Sequence, residues 1–408
     1  MKVLFVMEDS VPIENGCPVR NRYIMENLKK MGLEIVGLTS PFMRVLPGQI
    51  TEGSEVINGI RYYRSQYLNT ISNVSSLILR WKIRAEMYRK YCQLLERICM
   101  QEKPDIIHAI TSYVNGNAAN KVGMKLNIPR LYEIRSIAGA TAAVVDGKSH
   151  SSFKYQAVWK LDKRAMMGAT RVAPLSKVLK NELKIRGVPE GIMDAVDNGG
   201  DTDEFIPLER SREIAEKYSL GDSTIIGYIG SIRKIEGLYI AVQAAPKILE
   251  QCPDTKFMFI GAGDDVENLK GMSRKLGVEY ACVFPGKIPR NEILKYYSII
   301  DIFTVPRVDA LVNQTITPLK PLEAMAMERA LLVSNVGGLA ELVQNGKTGV
   351  MFEADNVESF TEKCIDMIRN KEKRITLGKE ARKWVVEYRQ WKDMAKQYLP
   401  IYDKILKR

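Results

Sequence analysis

Short apolar runs of strand length alternate with helical stretches along the whole chain, and that alternation argues for folds built on parallel sheets. Strands are predicted at 3–7, 34–39, 105–110, 130–134, 171–174 and 193–196, with helices near 20–31, 75–100, 115–126, 153–167 and 177–186. A second series follows. Its strands fall at 225–229, 256–260, 282–284, 302–305, 331–334 and 349–352, and its helices include 236–249, 264–276, 290–298 and 321–328. Asn58-Gly59, between Val56-Ile57 and Ile60-Arg61-Tyr62-Tyr63, predicts a tight hairpin that adds a small antiparallel piece. A chain of 408 residues is too long for one ordinary core. The expected class is therefore α/β, with two successive Rossmann-like domains, 1–193 and 194–390. The change of domain falls at Asp197-Asn198-Gly199-Gly200-Asp201, where paired glycines allow the sharp turn out of one sheet. In such sheets ligands bind beyond the carboxyl ends of the strands.

Composition narrows the function classes. Apolar residues make up 46% and charged residues 26%, as in soluble globular proteins. No apolar run has the length of a membrane span. The opening Met1–Met7 run is short and is cut off by Glu8 and Asp9, so it reads as a buried strand rather than a signal peptide. Six cysteines are scattered without a C-x-x-C pair, which indicates neither a disulfide framework nor a zinc site. A reducing cytoplasm fits that usage. Two histidines, His108 and His150, exclude a His-rich metal centre. The net charge of +12 is uneven: residues 1–193 hold 29 Lys and Arg against 16 Asp and Glu, while the rest is near neutral. A basic first half suits an anionic membrane surface or an anionic acceptor. No nucleic-acid-binding motif accompanies it.

The densest chemistry lies in Thr315-Ile316-Thr317-Pro318-Leu319-Lys320-Pro321-Leu322-Glu323-Ala324-Met325-Ala326-Met327. Pro321 fits the first turn of a helix, where its missing N–H costs nothing. The free N–H groups there, at the positive end of the helix, can receive a phosphate. Glu323, in the same turn, can accept hydrogen bonds from ribose hydroxyls, or it can simply complement the helix dipole. A phosphate cradle beside a sugar-binding carboxylate suggests a nucleotide-sugar site.

This stretch resembles the acidic signature of glycosyltransferase family 4, the retaining GT-B enzymes also grouped as glycosyl transferases group 1, and in particular a branch reading Pro-Leu-Lys-Pro-Leu-Glu-Ala-Met-Ala. The resemblance extends from Lys2–Met7 through the Gly16 loop and the Asn198-Gly199-Gly200-Asp201 turn to the tail after Trp391. It implies a GT-B fold, two Rossmann-like domains facing across a cleft, with the first binding the acceptor and the second the donor. It also implies that 391–408 forms a helix returning to the first domain. Glu323 would hold the ribose, and the amides of Leu319 and Lys320 the diphosphate. The family places a second Glu where this chain has Thr315. In the loop Gly230-Ser231-Ile232-Arg233-Lys234-Ile235-Glu236-Gly237 the family supplies an Arg and a Lys to the leaving diphosphate. Here Ser231 and Glu236 occupy those two slots, and Arg233 and Lys234 are the candidate replacements. A surface turn with two solvated cations is the plain alternative.

Further candidates are weaker. Gly16 resembles the glycine that approaches the donor phosphates, and a plain turn would look the same. Arg20 and Arg22 open a helix where cations are unfavourable, which hints at an anion. Arg20 and Arg135 are the candidate acceptor-binding residues. Glu133 shares the face of Arg135 by strand alternation. Phe284-Pro285-Gly286-Lys287-Ile288 resembles the strand end that contacts the base, so Ile288 is a donor-binding candidate. Gly261-Ala262-Gly263 reads as a packing turn, lacking the third glycine of a dinucleotide fingerprint. Asp201-Thr202-Asp203 has the D-x-D spacing of a metal-held diphosphate but sits at the domain crossover, so no metal is expected. Arg80-Trp81-Lys82-Ile83-Arg84, with Arg89 and Lys90, forms a basic helix that could lie on an anionic bilayer or be a solvated face.

These features imply a cytoplasmic, peripherally membrane-associated, metal-independent retaining glycosyltransferase of surface polysaccharide biosynthesis. It would move a sugar from a nucleoside diphosphate donor to a saccharide or lipid-linked acceptor, with no resident cofactor. The alternatives are a catalytically silent nucleotide-sugar-binding protein or partner subunit, and a GT-B nucleotide-sugar epimerase.

Overall fold

A computed structural model describes residues 1–13, 16–71, 76–137, 140 and 153–407. Asn15, Ser75 and His150 lie outside them. The described residues divide into two compact units, one running to Asn198 and taking in 391–407, the other Gly199–Gln390. No helix among the described residues is long and apolar enough to cross a membrane.

The first unit is built on a seven-stranded sheet in the order β3-β4-β2-β1-β5-β6-β7, counted among the described residues. Its strands are β1 (Lys2–Met7), β2 (Glu34–Thr39), β3 (Glu52–Ile57), β4 (Ile60–Ser65), β5 (Ile106–Ile110), β6 (Arg130–Ile134) and β7 (Arg171–Pro174). All neighbours are parallel except the β3–β4 hairpin, in which Asn58 and Gly59 take the two left-handed positions of the turn, φ 52° and 70°. Central strands such as β1 and β5 are buried on both faces because helices cover both sides. Those helices include α1 (Gly16–Lys30), α2 (Leu77–Glu102) and α3 (Tyr113–Leu126). The strand expected at 193–196 is reduced to one bridge, Val172–Met193. The next bridge would need an N–H from Pro174, which has none. The chain end returns as two short helices, Trp391–Lys396 and Tyr398–Leu406, with Trp391 stacked on Tyr23 at 5.3 Å.

The second unit carries a six-stranded parallel sheet, β10-β9-β8-β11-β12-β13. Its strands are β8 (Thr224–Ile229), β9 (Thr255–Ile260), β10 (Cys282–Gly286), β11 (Ile302–Val305), β12 (Ala330–Ser334) and β13 (Val350–Phe352). Successive residues feed opposite faces. Ile226, Phe257, Phe259 and Leu332 belong to one core, while Ile225, Met258, Phe303 and Leu331 belong to the other. The helix expected from Glu236 starts later, as Tyr239–Gln251, because Gly237 takes a left-handed conformation (φ 69°) and ends a short 3-10 turn at Lys234–Glu236. Both units are Rossmann-like α/β domains.

Candidate functional site

Strand order locates the site in the second unit. From β8 the chain moves outward to β9 and β10, then crosses to the other side of β8 to lay down β11. The loops after β8 and β11 therefore leave the sheet side by side at its topological switch point, the place where open α/β sheets bind ligands. The two loops are knitted together. Asn313 Nδ2 donates to the carbonyls of Ile235 (2.8 Å) and Val308 (2.9 Å). A Cβ on Gly237 would stand 2.0 Å from the Pro306 carbonyl oxygen, so only glycine fits. Gly261 makes an equally close approach to Gly230, 1.8 Å for a Cβ, and Ile232 N–H donates to the Ala262 carbonyl. Gly261-Ala262-Gly263 is thus a packing turn that backs the β8 loop.

Charge in this loop is arranged around Glu236. Its carboxylate is buried and accepts from Arg307, Nε to Oε2 at 3.0 Å and Nη2 to Oε1 at 3.3 Å. Arg307 is buried too, and its Nη1 donates to the Ile316 carbonyl. Arg233 reaches the same carboxylate from outside, Nη2 to Oε1 at 3.7 Å, with its side chain 43% exposed. Its Nε is buried without a partner among the described residues, an unspent donor at the mouth of the loop. Lys234 and Ser231 are exposed, and Gly230 is half-buried. Arg307 was missed by sequence reasoning. The signal was there: an acid at an interior loop position calls for a nearby cation.

The segment after β11 presents Glu323. The helix Lys320–Ala326 has Pro321 in its first turn, and its first N–H groups have no intrahelical acceptor. Leu319, half-buried, caps it. Glu323 Oε2 accepts from Tyr297 OH at 2.8 Å and from Lys320 Nζ at 2.9 Å. Oε1 accepts no hydrogen bond from the described residues. Tyr297 is fully buried, stacked on Phe303 and edge-on to Phe205, so it fixes the carboxylate from below. Burial pushes its phenol well above the ordinary range, and the Glu323 charge adds to that, so it remains a donor. Nothing in the sequence singled Tyr297 out. Thr315, at the position of the absent second Glu, is buried, and its hydroxyl donates back to the Leu311 carbonyl. Ile288 is half-buried against the core that includes Tyr297.

The first unit corrects one expectation. Arg20 does not face an acceptor. All five of its N–H groups are spent inside the unit: Nε on Glu133 (3.1 Å), Nη1 on the Asp197 carbonyl and Asn198 Oδ1 (2.8 Å each), and Nη2 on the Val196 carbonyl and Tyr398 OH (3.0 Å each). The cation opens α1 because this ring of acceptors holds it there. Arg135 is buried as well, with Nε on Glu133 at 2.6 Å and Nη1 on the Cys17 carbonyl at 3.1 Å. Glu133 accepts in addition from His108 Nε2 (3.1 Å) and Tyr398 OH, while His108 Nδ1 meets Tyr402 OH at 2.9 Å. Burial alone would raise the Glu133 carboxyl, but Arg135, Arg20 and His108 hold it well below the carboxylate range. Gly16 begins α1 with φ 31° and is exposed.

Asp201 Oδ1 is occupied by the amides of Asp203 and Glu204, a local turn. Among the described residues no three His, Cys, Asp or Glu side chains gather as a metal group.

Residues 210–384 match the family described as Glycosyl transferases group 1. An uncharacterized glycosyltransferase of Methanocaldococcus jannaschii is 26% identical over 98% of both chains. A GDP-mannose-dependent alpha-(1-6)-phosphatidylinositol monomannoside mannosyltransferase of Mycolicibacterium smegmatis is 27% identical over 207 residues, 50% of this chain and 54% of that one, so the match spans little more than half of the relative. Among solved structures, sucrose-phosphate synthase of Thermosynechococcus elongatus superposes with a TM-score of 0.79 over 100% of this chain and 99% of that one, at 18% identity. The fold is that of the GT-B glycosyltransferases.

Proposed function

Because residues 210–384 belong to the family of glycosyl transferases group 1, we propose that this protein transfers a sugar, with retention, from a nucleoside diphosphate donor to a saccharide or lipid-linked acceptor. The product is a step in a surface glycan, made on the cytoplasmic side of the membrane. One observation carries the reading. At the switch point of the second sheet, Glu323 is clamped through one oxygen by Tyr297 and Lys320, which leaves the other for a ribose hydroxyl pair. The mycobacterial relative, named for a GDP-mannose donor and a phosphatidylinositol mannoside, supports a nucleotide sugar and a lipid-linked acceptor.

The chemistry follows from charge. As the bond from the sugar's anomeric carbon to the phosphate oxygen breaks, the diphosphate gains negative charge. Arg233 and the amides of Leu319 and Lys320 meet that charge with fixed donors. The acceptor oxygen bonds to the anomeric carbon on the face the phosphate leaves, and its proton passes to the departing phosphate oxygen. No protein nucleophile is required, unlike glycosidases with a carboxylate pair. Arg233 and these amide dipoles take the place of a metal ion.

A thermal-shift screen against nucleoside diphosphate sugars tests the donor, since a ligand binding only the folded state raises the melting temperature. One base and sugar should stand out, and a flat panel overturns the reading. Turnover in EDTA tests the metal: activity lost on chelation and restored by magnesium or manganese refutes metal independence. A silent nucleotide-sugar binder is the competing reading, favoured by the Glu236–Arg307 pair and by Thr315, whose hydroxyl is tied to its own helix. Donor binding without transfer or hydrolysis selects it.

A further inference from the structure

The beginning of α2 overhangs the first unit. Among the described side chains of this helix Met87 is the first that is buried, and from there Tyr91, Leu94, Leu95 and Ile98 continue the stripe that faces the core. N-terminal to Met87, Ile83 is half-buried and the other residues from Ile78 to Glu86 are exposed. Even Arg80 and Arg84, which lie on the core-facing stripe by helical periodicity, are in solvent. On the opposite side, Ile78, Trp81 and Ala85 recur at i, i+3 and i+7 with Lys82 between them. Ile78 and Trp81 are each 72% exposed, and Leu79 is 47% exposed. A soluble helix keeps its large apolar side chains on the core side, so this arrangement is inverted.

We infer that this overhanging end of α2 is a membrane-docking element, in which Ile78, Leu79 and Trp81 enter the interface of an anionic bilayer, Lys82 between them meets lipid phosphates, and the charge of Arg84 adds to the attraction. The inference goes beyond the transfer reaction and does not rest on it. Charge selects the occupant. Residues 77–85 carry three cations and no acid. The first acid, Glu86, is engaged by Arg89 at 2.6 Å and Lys90 at 3.6 Å. A second copy of the chain would bring two sets of cations together across a two-fold axis, which is repulsive. Nucleic acid would satisfy the cations but leave Ile78 and Leu79 in water. An anionic membrane surface satisfies both halves at once: cations are attracted to its headgroups, and Trp and aliphatic side chains partition beneath them.

Flotation of the full chain with vesicles decides it. The protein should float with vesicles of phosphatidylcholine and phosphatidylglycerol in equal parts, not with phosphatidylcholine alone, and salt should weaken the association. Lys82→Ala/Arg84→Ala should lower partitioning about 30-fold, given roughly one kcal/mol for each basic residue at such a surface. Ile78→Ala/Trp81→Ala should lower it roughly tenfold or more. Both variants should melt with the wild type, because these side chains stand in solvent. Four results overturn the inference: no flotation at low salt, flotation unchanged in both variants, binding of short duplex DNA in place of vesicles, or a solution dimer that Ile78→Ala/Trp81→Ala dissociates.

Discussion

Glu236 and Arg307, 71 residues apart in sequence, form a buried two-point ion pair, 3.0 Å and 3.3 Å, that bolts the loop after β8 to the loop after β11. The pair neutralises an acid in a loop proposed to receive a diphosphate, and it gives Arg233 a fixed anion to lean on. Arg307→Met should cost about 3–5 kcal/mol, because Glu236 is left buried and unpaired. Glu236→Gln/Arg307→Met should recover most of that loss, since no charge remains buried. Urea midpoints of the three proteins measure both effects. The double variant also separates structure from function: with stability restored, donor affinity should stay reduced because Arg233 has lost its tether. Wild-type affinity in the double variant would make the pair purely structural.

Glu323→Ala should weaken donor binding by about 1.5–3 kcal/mol, the worth of a charged hydrogen bond. Tyr297→Phe should cost less, about 1 kcal/mol, since the ring still packs and only the clamp on Oε2 is lost. Calorimetric titration with the donor found by the thermal-shift screen gives both numbers. Unchanged affinity in Glu323→Ala counts against this site.

Gly237→Ala tests how tightly the two loops are fitted. The left-handed backbone costs a non-glycine residue about 1–3 kcal/mol. The new methyl would also stand 2.0 Å from the Pro306 carbonyl, which belongs to backbone and cannot swing aside. A fall in both melting temperature and donor affinity is expected, because the β11 loop must move. Gly271→Ala is the control: nothing lies within 4 Å of a Cβ there, and the helix should gain slightly.

The sheets were legible because fully buried parallel strands are written as short apolar runs, as at 34–39 and 302–305. What failed was set by single groups. The 193–196 strand stopped at one bridge because Pro174 lacks an N–H, and the helix after β8 started late because Gly237 turned left-handed. At the site, Glu323 and Arg233 stood out as charged residues in patterned positions. Tyr297 did not, because nothing in the short helix Ile293–Ile299 marks one tyrosine as reaching a carboxylate 26 residues on. Arg20 misled for the same reason. A cation at a helix start does mean an anion nearby, but the anion is Glu133, 113 residues away, with Tyr398 joining from the far end of the chain.

That cluster predicts how the first unit responds to acid. Glu133 holds four donors: Arg20, Arg135, His108 and Tyr398. Its carboxyl lies well below the ordinary value of 4.5, burial being outweighed by the arginines and His108. His108 is lowered from 6.5, chiefly by burial and then by Arg135 and Arg20, against the opposing pull of Glu133. In both cases the unfolded chain binds the proton more tightly, so stability rises with pH through each window. The contribution of His108 is complete above about pH 6.5 and fades below it. That of Glu133 is complete above about pH 4.5 and is lost as acid drives the proton onto the folded carboxyl. Hydrogen exchange in Tyr398–Leu406 reports the result, since Tyr398 and Tyr402 tie this helix to the cluster. Protection should be steady near neutrality, decline below pH 6.5 and fall steeply below 4.5. Glu133→Gln should lower protection at neutral pH, by about 3–5 kcal/mol for two buried arginines left short of their anion, and should remove the steep acid limb. Parallel pH curves for variant and wild type would show that other carboxylates govern the acid response.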